Sequence, residues 1–164
     1  MDGIYSKEVK NIIEFMWKSY GISILISIEL ENDKNILGKF VNAPIEGRTK
    51  FRSINIALNN IKSVVSEEDV ESAKLFVVLH EVGHFLLDKS GYIQKEEYAD
   101  FLACLLAKKL LSKHEFLNFI KSHGDHLIPH QIMQIENTIR DELFEISELF
   151  FYKYKKYIKL RGEL

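Results

Sequence analysis

An apolar stretch with three chemically active polar side chains occupies residues 76–87, Phe-Val-Val-Leu-His-Glu-Val-Gly-His-Phe-Leu-Leu. On a helix, His80 and His84 project from the same face, one turn apart. Two neutral imidazoles at this spacing can hold one Zn²⁺ at about 2.0–2.1 Å. Glu81 is adjacent, where a carboxylate can act as general base for a zinc-activated water. The stretch therefore predicts a helix that carries a metal motif.

A zinc site of this kind needs a third protein ligand, with the fourth position left to water. Downstream, Glu96 and Asp100 are four residues apart and share a helix face, whereas Glu97 is rotated by about 100°. We expect Glu96 to be the third ligand, with Glu97 as the alternative. Asp100 would accept a hydrogen bond from the outer N–H of a ligand histidine and so fix its tautomer. The other interpretation is that the two histidines are hydrogen-bonded core residues that bind no metal.

Composition limits the class of protein. The chain has 164 residues, of which 46% are hydrophobic, enough for one domain with a small appendage. Its 22 basic and 24 acidic residues give a net charge of -2, which disfavours a dedicated nucleic-acid binder. A single cysteine, Cys104, excludes an internal disulfide and a cysteine-rich zinc site, and we expect it to pack as a small apolar residue. A metal must therefore be held by histidine and carboxylate.

The chain shows no targeting signal in its first residues, which lack the apolar core of a signal peptide. The longest apolar run, residues 22–28, is shorter than the roughly 20 residues of a membrane span. These features predict a cytoplasmic protein that does not contact a membrane.

Periodicity predicts helices and strands in an α+β layout. A helix over residues 6–20 should end at Gly21. Three strands are expected over residues 22–28, 37–41 and 53–58, mostly antiparallel because the connections are short. Further helices are expected over residues 70–87, 95–111 and 113–122, near Pro129, and over 132–160 with a break near Glu145 to Ser147.

Two blocks of the sequence resemble one family. They are Phe76-x-Val78-Leu79-His80-Glu81-Val82-Gly83-His84 and Glu96-x-x-Ala99-Asp100-x-Leu102-Ala103-x-Leu105-Leu106. Their order and polarity are similar to those of the ImmA/IrrE zinc metallopeptidases over residues 70–111. Leu79 replaces a small residue and Leu102 a phenylalanine, both at packing positions. An arginine common before the first block is missing, with Glu71 and Ser72 nearby instead.

The resemblance implies a zincin-like α+β domain with an active-site helix and a helical C-terminal part. It implies His80, His84 and Glu96 as zinc ligands, Glu81 as general base and Asp100 as the partner of a ligand histidine. Residues 1–112 would form the peptidase core and residues 113–164 a helical extension packed on it. A sheet edge of this fold receives the substrate as an added strand, and Ser53 to Leu58 would be that edge.

The resulting hypothesis is a metallo-endopeptidase that uses Zn²⁺ to hydrolyse a peptide bond in a specific repressor-like DNA-binding protein. Better-known members of the family cut a repressor often encoded beside them on a phage or conjugative element. One alternative is a regulatory module that sequesters its repressor without cutting it. A further alternative is a DNA-binding regulator that uses the C-terminal segment. The sequence does not predict which repressor is cut, at which bond, or the oligomeric state.

Other polar residues leave choices open. Tyr92 or Tyr98 could stabilise the oxyanion of the tetrahedral intermediate. The segment from Glu142 to Tyr154 is similar to a helix-turn-helix that often follows this peptidase core, although Glu145 stands where the turn usually has glycine. A helical hairpin that only packs is the alternative. The histidines of residues 123–130 are expected to form a polar loop.

Overall fold

The chain has an α+β fold, as the sequence predicts. The computed structural model describes residues 3–27, 35–45, 48–122 and 134–161, and the side chains of residues 43–45 and 48–51 are outside that description. The described elements are α1 (Ile4–Tyr20), β1 (Ser23–Ser27), β2 (Gly38–Ile45), β3 (Arg48–Ala57), α2 (Leu58–Val64), a 3₁₀ turn (Glu67–Asp69), α3 (Val70–Lys89), α4 (Glu96–Leu110), α5 (Lys113–Ser122) and α6 (Asn137–Leu160).

The end of α1 follows from one glycine. Gly21 has a φ of 66°, in the left-handed region that favours glycine, and its N–H donates to the carbonyl of Trp17 at 3.0 Å. The N–H of Ile22 then donates to Met16 O at 3.1 Å, which completes the cap. The predicted helix end is confirmed, and the chain passes directly into β1.

The sheet is mixed, which corrects the expectation of mostly antiparallel pairing. Its strand order is β1-β3-β2, with β2 and β3 antiparallel but β1 and β3 parallel. Short connections make successive strands alternate in direction, but they do not decide which strand lies beside which. Here β3 lies in the centre, and its Ile54 and Ile56 are fully buried. The prediction that Ser53 to Leu58 forms the substrate-binding edge is therefore wrong, because the edges are β1 and β2 and Leu58 begins α2.

Contacts divide the chain into two compact units, Met1–Glu81 and Val82–Leu164, with the division inside the continuous helix α3. In the first unit α1 packs against β1, and the largest fully buried side chains are those of Ile12, Phe15, Met16, Ile54, Ile56, Ile61, Leu75 and Leu79. In the second unit α4 packs against α5 and α6, and the largest fully buried side chains are those of Phe85, Leu87, Leu102 and Phe119. Both Leu79 and Leu102 are core residues, as expected of their packing positions.

The helix α6 runs through the break that the sequence predicts near Glu145 to Ser147. Ser147 is fully buried, and its hydroxyl donates to the carbonyl of Phe144 at 2.7 Å, so the polar group is satisfied inside the helix. The prediction of a break, and of a turn at Glu145 that a helix-turn-helix would need, is wrong. The predicted helix at residues 113–122 is confirmed. The helix expected near Pro129 and the histidines of residues 123–130 lie outside the described residues.

Among the described residues, no helix combines the length and the apolar composition needed to cross a membrane.

Candidate metal centre

Helix α3 carries both histidines of the motif on one face. Leu79, Val82 and Phe85 are buried at 0–1% exposure, so their turns of the helix lie against apolar core. His84 is 9% exposed and His80 is half-buried. The apolar flanks therefore fix the helix in the core, while the Glu96 side chain that meets His84 is 75% exposed.

A close helix contact brings α4 to this face. Gly83 lies so near to α4 that a Cβ atom added there would be 2.9 Å from the backbone oxygen of Ala99 and 3.2 Å from its Cα. Only glycine at this position of α3 permits so close an approach to the backbone of α4. Ala99 is fully buried, one turn after Glu96 in α4. This close contact fixes where Glu96 lies relative to His84.

His80, His84 and Glu96 form a group that could hold a metal ion. Each offers one ligand atom, and these atoms all lie within 4.8 Å of one another. His84 Nε2 and Glu96 Oε1 are 3.2 Å apart. Two ligand atoms each ~2.0–2.1 Å from a tetrahedral Zn²⁺ are separated by about 3.3 Å, so this pair needs little adjustment to share one ion. Two imidazole nitrogens and one carboxylate oxygen are also a ligand set that zinc accepts.

The second ring nitrogen of His84 has a partner that the sequence did not predict. His84 Nδ1 lies 2.8 Å from Oε1 of Gln94, and Gln94 Nε2 donates to the backbone oxygen of His84 at 3.2 Å. Because the amide nitrogen of Gln94 is used on the carbonyl, its oxygen faces the ring and must accept a proton from Nδ1. This tautomer leaves the lone pair of Nε2 free for a metal.

The two other acidic residues of α4 have different surroundings. The group that the structure brings together contains Glu96 rather than Glu97, which is half-buried. Asp100 is half-buried too, and its hydrogen bond to a ligand histidine stays a prediction.

The charge of Asp100 acts on Cys104 one turn further along α4. Burial, with a smaller contribution from Asp100, raises the pKa of the Cys104 thiol to about 12.

Glu81 is buried against the first residue of β2. Glu81 is only 6% exposed. A Cβ atom added to Gly38 would lie 3.1 Å from Glu81 Cγ and 3.2 Å from Glu81 Oε1. The same atom would be 2.6 Å from Val77 Cγ1. Gly38 thus allows the edge strand β2 to approach the Glu81 carboxylate. A glycine at a strand position was the only sequence signal for this contact.

A cavity of about 530 Å³ opens beside Glu96. Its lining comes from the start of α4 and from residues just before and in the first turn of α6, and includes Glu97 and Glu136 as well as Tyr98. Tyr98 is 8% exposed, and the Lys95 ammonium lies 5.3 Å from the centre of its ring. Tyr92, the other candidate for oxyanion stabilisation, is half-buried.

No family model matches the chain, and comparisons with curated proteins and with solved structures find no match either. The relationship to ImmA/IrrE peptidases therefore stays a prediction based on the two sequence blocks.

Proposed function

We propose that this protein is a zinc-dependent endopeptidase with a zincin-like fold, similar to the ImmA/IrrE family, that cuts a repressor-like protein. The observation that carries the proposal is the group of His80, His84 and Glu96, whose ligand atoms lie within 4.8 Å of one another, together with the buried Glu81 that follows His80 in α3. Three ligands and one adjacent carboxylate are the parts that hydrolysis of a peptide bond at a zinc site requires.

Each residue of the group has one task in this proposal. His80, His84 and Glu96 hold the ion, and Gln94 keeps the proton of His84 on Nδ1. When bound, the zinc ion supplies Lewis acidity, which polarises a carbonyl oxygen and lowers the pKa of a water molecule. The Glu81 carboxylate accepts the proton of the attacking water and later returns it to the leaving amine.

The position of Gly38 suggests how a peptide substrate would reach Glu81. Strand β2 is an edge of the sheet, and its first residue contacts the Glu81 side chain. An extended segment that pairs with β2 would bring its backbone towards this carboxylate, and main-chain hydrogen bonds would provide much of its affinity. In this proposal β2 takes the part that the sequence predicts for residues 53–58.

Metal analysis tests the ligand set. Purified wild-type protein should bind one zinc ion, and His80→Ala and Glu96→Ala should lose it or bind it far more weakly. Glu97→Ala is the matched control, since it removes the same chemical group one residue further along α4. Zinc retained by Glu96→Ala but lost from Glu97→Ala would transfer the third ligand to Glu97. Zinc retained by both and by His80→Ala would contradict the metal centre.

Glu81→Gln tests catalysis separately from metal binding. The variant keeps size and hydrogen bonding but cannot take a proton, so zinc content should be unchanged while peptide cleavage falls by roughly 10²-fold or more. Cleavage is measured as new N-termini in a proteome-derived peptide library. If the variant still relieves repression in cells that carry the partner repressor, the protein acts by sequestration, and the peptidase proposal fails.

A further inference from the structure

Helix α6 presents an exposed stripe that the proposed peptidase site does not use. Its residues recur at alternating spacings of three and four, the pattern of one face of a two-helix interface. All of them are exposed: Glu142, Glu145, Leu149, Tyr152, Lys156 and Lys159. The two central side chains, Leu149 and Tyr152, are 57% and 62% exposed. We refer to these six residues as the α6 stripe.

The charges of the α6 stripe are separated along the helix. Glu142 and Glu145 lie before the apolar centre, and Lys156 and Lys159 lie after it. The helix dipole favours Lys159, which lies in the last turn of α6. Its effect is confined to the first and last turns, and the first turn holds no acidic residue, so the dipole does not account for Glu142, Glu145 or Lys156.

Pairing among the described residues does not account for the other charges either. Within that part of the chain, the side chains of Glu142, Glu145 and Lys159 make no hydrogen bond or ion pair. Lys156 contacts only the ring of Tyr152, at 5.6 Å from its centre. The residues four positions after the two glutamates are Ile146 and Leu149, so neither has an oppositely charged neighbour on its own helix.

We propose that the α6 stripe binds the same stripe of a second copy of this chain, with the two helices antiparallel. In the register that places Leu149 opposite Tyr152 of the second copy, Glu145 faces Lys156 and Glu142 faces Lys159. A two-fold axis generates every contact twice, so each acidic residue of one copy meets a lysine of the other. The stripe is therefore complementary to itself in charge and in its apolar centre.

Charge complementarity favours a second copy over other occupants. A polyanion would be attracted by the lysines but repelled by the two glutamates on the same face, and a net charge of -2 gives no general attraction. The stripe spans about 26 Å along the helix, so the buried area is below the roughly 1,000 Å² of a stable interface. We expect a weak dimer whose affinity falls as salt is added.

Charge reversal provides a sharp test. The acidic-end variant, Glu142→Lys with Glu145→Lys, and the basic-end variant, Lys156→Glu with Lys159→Glu, each create like-charge contacts in their own homodimer. In a mixture, the lysines of the first variant face the glutamates of the second, and all four contacts are attractive again. The matched controls change the net charge equally at exposed sites elsewhere: Glu67→Lys with Glu68→Lys, and Lys108→Glu with Lys113→Glu.

Sedimentation velocity at low salt, with protein up to about 1 mM, measures the dimer dissociation constant. Each variant alone should dimerise at least about tenfold more weakly than wild type, since exposed pairs contribute roughly 0.2–1 kcal/mol each and like charges oppose by similar amounts. The equimolar mixture should recover the wild-type affinity, and both controls should behave as wild type.

A wild-type chain that stays monomeric throughout this range would overturn the proposal. So would a mixture that associates no better than its components. Loss of duplex DNA binding in the basic-end variant, with no heterodimer in the mixture, would instead assign the lysines to a nucleic acid. The zinc content of every variant should equal that of wild type, so failure of the metal centre and failure of the dimer are separate results.

Discussion

The two nitrogens of the His84 imidazole face different side chains, and this arrangement defines what the residue can do. Gln94 accepts from Nδ1, while Nε2 faces Glu96 at 3.2 Å. Gln94 belongs to the connection between α3 and α4, where no periodicity marks it. The sequence predicted a carboxylate for this task because Asp100 has helical spacing from Glu96. Which side chain contacts the His84 ring depends on the path of the connection between α3 and α4, and the spacing of residues along α4 does not determine that path.

Gln94→Leu should weaken zinc binding. The substitution keeps most of the volume but removes the acceptor for Nδ1–H, so the ring loses both its fixed tautomer and some basicity. Loss of such a partner typically lowers metal affinity by about 10–100-fold. Competition with a chromophoric chelator measures the effect, and Ile93→Ala, at a side chain that is 69% exposed, is the neighbouring control. Equal affinities of the Leu variant and wild type would show that Gln94 does not support the site.

Cys104 should resist alkylation while the protein is folded. A thiol with a pKa of about 12 is almost entirely protonated at pH 8, whereas a free cysteine with a pKa of ~8.5 is partly ionised. The folded protein should therefore react with iodoacetamide at least about a thousandfold more slowly than the protein in urea. Because the thiol ionises more readily in the unfolded chain, its contribution to stability is lost as pH rises above ~8.5. Rapid labelling without denaturant would contradict the buried environment.

At the scale of elements, local signals predicted most of the helices, but they missed α2 and placed a break inside α6. Gly21 marks the end of α1, and the apolar periodicity of residues 70–87 and 95–111 corresponds to α3 and α4 within a few residues. Strand neighbours were not predictable in this way. β1 pairs with β3 in parallel because β2 lies on the other side of β3. Short connections do not determine on which side of β3 each strand lies. The sheet edge near Glu81 was missed for this reason.

Gly83→Ala should displace α4 and weaken zinc binding. Alanine is the better helix former by about 1 kcal/mol. However, its methyl group would meet the backbone of Ala99 at 2.9 Å, and no side-chain rotation can relieve that contact. Overpacking of this kind costs typically 1–3 kcal/mol, so we expect a net loss of stability together with a shift of Glu96.

Chelator competition and urea unfolding measure both effects of Gly83→Ala. Gly3→Ala is the control, because a Cβ at Gly3 has no atom within 4 Å. A Gly83→Ala protein with wild-type zinc affinity would mean that the close approach of α3 and α4 does not position the ligand.

At the scale of the whole molecule, a metal centre links binding to folding. An ion that binds the folded chain but not the unfolded chain stabilises the protein by about 2.7 kcal/mol at a free concentration 100 times its dissociation constant. For a chain of 164 residues, each kcal/mol raises the melting temperature by roughly 2–4 °C. Zinc should therefore raise the melting temperature of the metal-free protein by about 5–10 °C under these conditions.

Differential scanning calorimetry of metal-free protein, with and without zinc, tests this prediction. His84→Ala should abolish the shift because it removes the ligand nitrogen that faces Glu96, whereas Glu97→Ala should keep it. Magnesium, which prefers all-oxygen coordination, should have no effect at the same concentration. An equal shift for His84→Ala and wild type would mean that zinc stabilises the chain elsewhere, and the three-residue group would then have to be abandoned as the metal centre.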